Sequence, residues 1–224
     1  MPDVPPIEEK VEYHTNPRHD LLPYLPASVV RGLDVGCGAG AFGVLLKQRY
    51  GAEVWGLEYA SDIAARARAR LDRVLEGDAI QQLDALPDGY FDFMSCNDVL
   101  EHLVDPWAFL RKARSKLTAN ATVVASIPNI RYFHALETIL EDKDFPALDE
   151  GIFDRTHLRF FTKKSIERLF AETGYQLQAI AGINPTHSKR FRRWNRWTFG
   201  RIEDCRWLQF ACVARPIPSA IAAA

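Results

Sequence analysis

The sequence predicts an α/β protein built on a mostly parallel seven-stranded sheet, with helices on both faces and an antiparallel final strand. Three observations predict it. Short β-branched runs alternate with helical stretches from Val29 to Ser126, at the spacing of right-handed crossover units. A glycine run, "GCGAG", joins the first strand-like run to the first helical one. Near the C-terminus two more strand-like runs follow each other with no periodic helix long enough to cross between them, so they pair antiparallel at one edge. At 224 residues and 47% hydrophobic, the chain suffices for one well-buried domain, 1–224.

The elements read in order. "VVRGLDV" is a strand, "AFGVLLKQRY" a helix stopped by Gly51, and "AEVWGLE" a strand. "SDIAARARARL" is a helix with Ser61 or Asp62 as its cap, followed by the strands "DRVLEGD" and "YFDFMSC". "PWAFLRKARSKL" is a helix and "ATVVASI" the fifth strand. After Pro128 come a helical "RYFHALETILED", a loop "GIFDRTHLRFF", and a helix "TKKSIERLFAETG" capped by Thr162 and ended by Gly174. "YQLQAIAGI" and "RWLQFACVA" are the final strands.

No apolar run reaches the length of a membrane span and the N-terminus lacks a signal-like core, so a cytoplasmic protein is expected. Cys37, Cys96, Cys205 and Cys212 form no C-x-x-C pair and have no histidine at ligand spacing, so they read as reduced packing residues and no metal site is expected. The net charge of −1 hides an asymmetry: residues 187–201 hold six Lys/Arg and no acid, leaving 22 basic against 29 acidic residues elsewhere.

Gly36, Gly38 and Gly40 sit where backbone must approach a ligand, with Cys37 inside the run. Gly36, Gly38 and Ala41 match G-x-G-x-x-A, and Glu58, 20 residues beyond Gly38, can take two ribose hydroxyls. A nicotinamide cofactor and other adenosine cofactors fit this equally. Asp34 separates them, because its carboxylate would repel a pyrophosphate and favour a cationic ligand such as S-adenosylmethionine (SAM). Asp78, after the third strand, can accept from an adenine amino group.

"LDVGCGAG", "GLEYA", "EGDA" and "YFDFMSCNDVLEHLVDP", in this order, resemble the successive motifs of class I SAM-dependent methyltransferases over Tyr13 to about Val213. That resemblance implies a Rossmann-like sheet with a reversed seventh strand and SAM as cofactor. It divides the chain into a lead-in at 1–28, a SAM-binding core at 29–126, acceptor-side helices and loop at 127–174, and a final strand pair at 175–214. It puts Gly36 and Gly38 against the methionine part, with Cys37 and Gly40 of the same turn also binding the cofactor and Asp34 assisting the ammonium directly or through water. Glu58, with Tyr59 beside it, takes the ribose. Asp78 and Ala79 border the adenine, and Asn97 lies under the sulfonium. In the lead-in "YHTNPRHDLLPYLP", Arg18 reaches the methionine carboxylate and Tyr13 covers the cofactor; a solvated turn is the alternative for that segment.

A hydroxyl nucleophile benefits from a base. His157 in "FDRTHLRFFT", a segment that resembles a signature of bacterial methyltransferases of glycan and secondary-metabolite pathways, is the first candidate, with Arg155 and Arg159 on the acceptor beside it. The alternative is a buried network of Asp154, Arg155, His157 and Arg159 that pins the loop. His102 in "VLEHLVDP" resembles the "EH" of the ubiquinone-pathway O-methyltransferases and is either a base or a structural residue. His134 sits among apolar residues at helical spacing, packing or lining the pocket.

The basic window interrupts the final hairpin. Arg192 and Arg193 can hold an acceptor phosphate, with Trp194 and Trp197 stacking on a sugar or base; a lipid-linked acceptor at a membrane surface, a solvated loop and a dimer contact are the other readings. These features point to O-methylation of a hydroxyl on a small molecule or a carbohydrate, glycan or lipid-linked saccharide. N- or C-methylation stays open, a nicotinamide-dependent oxidoreductase is disfavoured by Asp34, and a non-catalytic phosphate- or nucleic-acid-binding protein on the same fold is the remaining class. Nucleic acid is not expected as the acceptor, because "NDVL" stands where an N/D-P-P-Y/F motif would be.

Overall fold

A computed structural model describes residues 17–218. Seven strands form one sheet: β1 (Arg31–Val35), β2 (Glu53–Glu58), β3 (Arg73–Glu76), β4 (Phe91–Asn97), β5 (Leu117–Pro128), β6 (Tyr175–Pro185) and β7 (Trp207–Pro216). Their order is β3-β2-β1-β4-β5-β7-β6. β1 to β5 pair parallel, and β7 pairs antiparallel with both β5 and β6. The last strand therefore slots between β5 and β6. β6 itself runs in the direction of β1 to β5 and ends at the same edge as the glycine turn.

The helices are α1 (Ala41–Tyr50), α2 (Ser61–Arg68), the single turn α3 (Ala79–Gln82), α4 (Pro106–Ala113), α5 (Phe133–Glu137), α6 (Lys163–Glu172) and α7 (Lys189–Trp197). Alternate residues of a strand face opposite sides, and adjacent residues of β4 show it. Met94 packs with Phe109, Leu110, Ile166 and Phe170 on one face, Phe93 with Phe42, Leu46 and Val124 on the other.

Gly51 ends α1 in the left-handed conformation, its N–H returning to the Lys47 carbonyl. Thr162 and Ser165 close a capping box on α6. The expected cap of α2 is not made: Ala60 occupies the cap position, and the Ser61 hydroxyl donates to Glu76 across the β3 end instead. The basic window forms a nine-residue helix, α7, capped by Ser188 and seated through Phe191 on Phe133 of α5. Charge density hid it from sequence, since only Phe191 and Trp194 of its residues mark an apolar face. Among the described residues no helix is long and apolar enough to cross a membrane.

Candidate functional site

The site is built at the carboxyl edge of the sheet, where β1 gives way to its glycine turn. Gly36, Gly38 and Gly40 all have positive φ, at 65°, 53° and 82°. A Cβ on Gly36 would stand 2.5 Å from Val99, so this turn tolerates no side chain there. Glu58 at the end of β2 ties the turn down: Oε2 accepts from the Gly38 amide at 2.9 Å and Oε1 from the Ala60 amide at 3.0 Å.

Asp34 lies beneath the turn at 2% exposure. Its Oδ1 accepts from the Ser95 hydroxyl at 2.7 Å, while Oδ2 has no hydrogen-bond partner among the described side chains and backbone within hydrogen-bond geometry. Burial pushes this carboxyl up to about 7; the Ser95 hydrogen bond works against that and the negative Glu58 adds to it. Asn97, the last residue of β4, also buries an Oδ1 with no partner among the described residues. Two acceptor atoms without donors and two acids around a bare glycine turn fit a cofactor that carries positive charge and hydrogen-bond donors.

Beyond β4 the chain turns through Asp98, whose φ is 54°. The Asp98 carboxylate accepts from Arg18, from the Ser126 hydroxyl at 3.0 Å and from Gln209 Nε2 at 2.8 Å. Arg18 also pairs with Asp20 at 3.0 Å. Its guanidinium is thus engaged by carboxylates that brace the lead-in turn against β4, β5 and β7, where the resemblance had directed it to the cofactor. Tyr13 lies outside the described residues.

Glu101 follows, 1% exposed, with neither carboxylate oxygen hydrogen bonded among the described residues. Burial holds its carboxyl well above the usual carboxylate range, and Asp98 adds to the effect. The loop carrying His157 is stitched to it by backbone: Leu158 and Arg159 amides donate to the Glu101 carbonyl at 2.8 and 3.0 Å. His157 Nε2 comes 4.0 Å from Glu101 Oε1, and the His102 and His157 rings meet edge to face at 4.7 Å. Burial and the neighbouring His157 keep the His102 imidazole below its ordinary value.

The structure thus brings both candidate histidines into one cluster, about an acid that the sequence reading passed over. Glu101 stands directly before His102, and an acid adjoining a candidate base was the signal available for it. Asp98, Ser126 and Gln209 carried no such signal, because only the folded sheet juxtaposes them. The expected buried network is only partly present. Arg155 is exposed and pairs with Asp149 at 2.8 Å, and Arg159 donates to the Leu158 and Val104 carbonyls, bracing the loop. Asp154 accepts from the Thr156 hydroxyl at 2.6 Å.

Asp78 caps α3 by accepting from the Gln81 amide at 3.1 Å, with Ala79 as the first helical residue, and Tyr59 stands 78% exposed beside Glu58. The Cys37 side chain is buried against Gly56, and burial pushes its thiol far up, as expected of a packing cysteine. His134 is exposed, bonding Glu137 at 2.7 Å and Thr186 at 2.9 Å, so it pins α5 to the end of β6 and does not pack in a core. On α7, Arg190 pairs with Glu137 and Glu141 and lies over Trp194, whose ring also meets Phe133. Arg192 and Arg193 are exposed, and Trp197 is 88% exposed.

A seven-stranded sheet with a reversed strand slotted next to its edge, and an acid-lined glycine turn at its carboxyl edge, define a class I SAM-dependent methyltransferase. Residues 9–180 match the family described as Methyltransferase domain, and the chain belongs to that family. It is 33% identical over 182 residues to a ubiquinone biosynthesis O-methyltransferase of Xanthomonas campestris, covering 75% of this chain and 74% of that one. Among solved structures it is similar to a SAM-dependent methyltransferase of Archaeoglobus fulgidus, with a TM-score of 0.65 at 23% identity, over 93% of this chain and 97% of the other. A SAM-dependent methyltransferase of Mesorhizobium loti superposes with a TM-score of 0.62 at 20% identity, over 92% and 97%. The protein is a SAM-dependent methyltransferase.

Proposed function

We propose that this methyltransferase acts on a hydroxyl oxygen of a small, largely apolar acceptor. Bound SAM supplies a methyl group on a positively charged sulfur. Gly36 and Gly38 approach its methionine part with bare backbone, and Asp34 favours its charge from beneath the turn. Glu58 accepts from the ribose hydroxyls, exchanging bonds it now makes to backbone amides. Asp78, Ala79 and Tyr59 border the adenine, and the free Asn97 Oδ1 accepts from the methionine end.

The proton of the acceptor hydroxyl leaves at the Glu101, His102 and His157 cluster. The observation that carries this reading is the His157 ring: its Nδ1 meets the Ile152 carbonyl at 3.0 Å, so Nδ1 bears the proton and Nε2 keeps a lone pair. Around the cluster, beside the exposed Arg155 and Thr156, stand four exposed apolar side chains, Val104, Leu158, Phe160 and Phe145, with the last two rings in contact at 5.1 Å. An aromatic hydroxyl compound suits that rim better than a bare saccharide, and the relatives named ubiquinone biosynthesis O-methyltransferases agree with it.

A second reading rests on α7. A groove of about 460 Å³ is lined by Arg192, Arg196, Phe199 and Arg206 among others, and it fits a phosphate carried by the acceptor. Incubation with methyl-labelled SAM and two acceptor panels, catechols and phenols against nucleotide-sugars and lipid-linked saccharides, separates them. Labelled methyl ethers of the first panel are expected. Label appearing only on nitrogen or carbon acceptors would overturn the proposal.

A further inference from the structure

We propose that Glu101, His102 and His157 form a binding site for a divalent first-row transition cation of the zinc or manganese kind, beside the methyl-transfer pocket. One ligand atom from each of the three lies within 4.8 Å of the others. All four cysteines are buried and none belongs to the group.

The donor atoms are prepared for a cation. Among the described residues Glu101 keeps both carboxylate oxygens without hydrogen bonds at 1% exposure, an arrangement that costs free energy unless something answers it. Pairing with His157 does not answer it, because Nε2 stands 4.0 Å from Oε1 and the second oxygen stays bare. His157 Nδ1 is committed to the Ile152 carbonyl, which can only accept. His102 Nδ1 lies 3.2 Å from the Thr156 carbonyl and 3.0 Å from the Thr156 hydroxyl, whose own proton goes to Asp154 at 2.6 Å. Both of those partners are acceptors, so His102 also carries its proton on Nδ1 and keeps the Nε2 lone pair. Carbonyls that fix the tautomer from behind are the usual outer partners of metal-bound imidazoles.

One carboxylate and two imidazoles suit first-row divalent cations. Bonds of about 2.0–2.2 Å need donors drawn together by about 1 Å from their present spacing, within reach of ring rotation. Three protein ligands leave a position open, and there a hydroxyl oxygen of the acceptor would be polarised and its pKa lowered. No redox change is involved. With the cation bound, His157 Nε2 is a ligand and no longer takes the proton, so the hydroxyl proton goes to solvent, and methyl transfer then forms the O–C bond as the S–C bond breaks.

This deepens the role given to the cluster above and rests on its facing the acceptor, but its test needs neither SAM nor acceptor. Untagged full-length protein, stripped with chelator, is titrated with Co²⁺ by visible absorption and with Mn²⁺ by calorimetry. One equivalent is expected to bind, with Glu101→Gln and His102→Ala each weakening it about tenfold or more. Glu101→Gln keeps the side-chain volume and His102 is only half-buried, so both variants are expected to keep the wild-type circular dichroism and SAM affinity. Absence of one-equivalent binding, or binding unchanged in folded Glu101→Gln, would overturn the site. Full-rate methylation by chelator-treated protein would also overturn it and leave the proposed function standing.

Discussion

Asp34 and Glu58 are both acids beside the glycine turn, yet they are spent differently, and their variants are expected to differ. Glu58 holds the Gly38 and Ala60 amides, whereas Asp34 offers a buried charge with one oxygen unbonded. Asp34→Asn is expected to weaken SAM binding by about 1–3 kcal/mol through lost charge, with the turn intact. Glu58→Ala is expected to lose a similar amount and to loosen the turn as well, seen as faster amide exchange at Gly38. Calorimetric titration reads both affinities, and unchanged SAM binding in the two folded variants would refute the assignment. His157→Ala is expected to reduce turnover by roughly 10²–10⁴ while SAM affinity changes little, the signature of a group that acts on the acceptor's proton. Full activity in that variant would make His157 a loop-pinning residue only.

At the level of elements, α7 shows what its charges do individually. Arg190 is held by Glu137 and Glu141 and fastens α7 to α5, while Arg192 and Arg196 line the groove. Arg190→Ala is therefore expected to lower the melting temperature, and Arg192→Glu with Arg196→Glu to raise the acceptor KM in a salt-sensitive way without changing SAM affinity. Normal kinetics at low salt in the double variant would exclude the groove from acceptor capture. Elements marked by periodicity and a stop residue were legible in the sequence: α1 ends at Gly51 as expected, and Thr162 caps α6. α7 was not, because burial of Phe191 against Phe133 is a tertiary contact that helical spacing alone does not announce. The α2 cap was missed for a similar reason, as Ser61, the first residue of α2, turns to Glu76 at the end of β3.

Across the whole molecule, the glycine turn, Glu58, Asn97 and the Glu101 cluster share one edge of the sheet, since β1, β2, β4 and β5 run the same way. Sequence motifs reported that edge because each follows its strand directly. They could not report the Arg18–Asp98–Ser126–Gln209 bracing, which joins residues brought together only by the strand order β4-β5-β7. In the proposed site, Asp34 would couple ligand to fold. Its carboxyl titrates at about 7 in the folded protein and near 3.8 when unfolded, so between those values the fold binds more protons than the unfolded chain. Stability of the ligand-free protein is therefore expected to fall as pH rises from about 4 to 7 and to stay reduced above. SAM brings positive charge that favours the ionised carboxylate, so its stabilising effect should grow over the same range. At SAM about 100 times its Kd the gain is about 2.7 kcal/mol. For a chain of this size that raises Tm by roughly 5–10 °C. With SAM held at one fixed concentration, scanning fluorimetry at pH 6 and pH 8 should show the larger shift at pH 8, and Asp34→Asn should give equal, smaller shifts. A wild-type shift that is the same at both pH values would show that the Asp34 charge does not contribute to holding SAM.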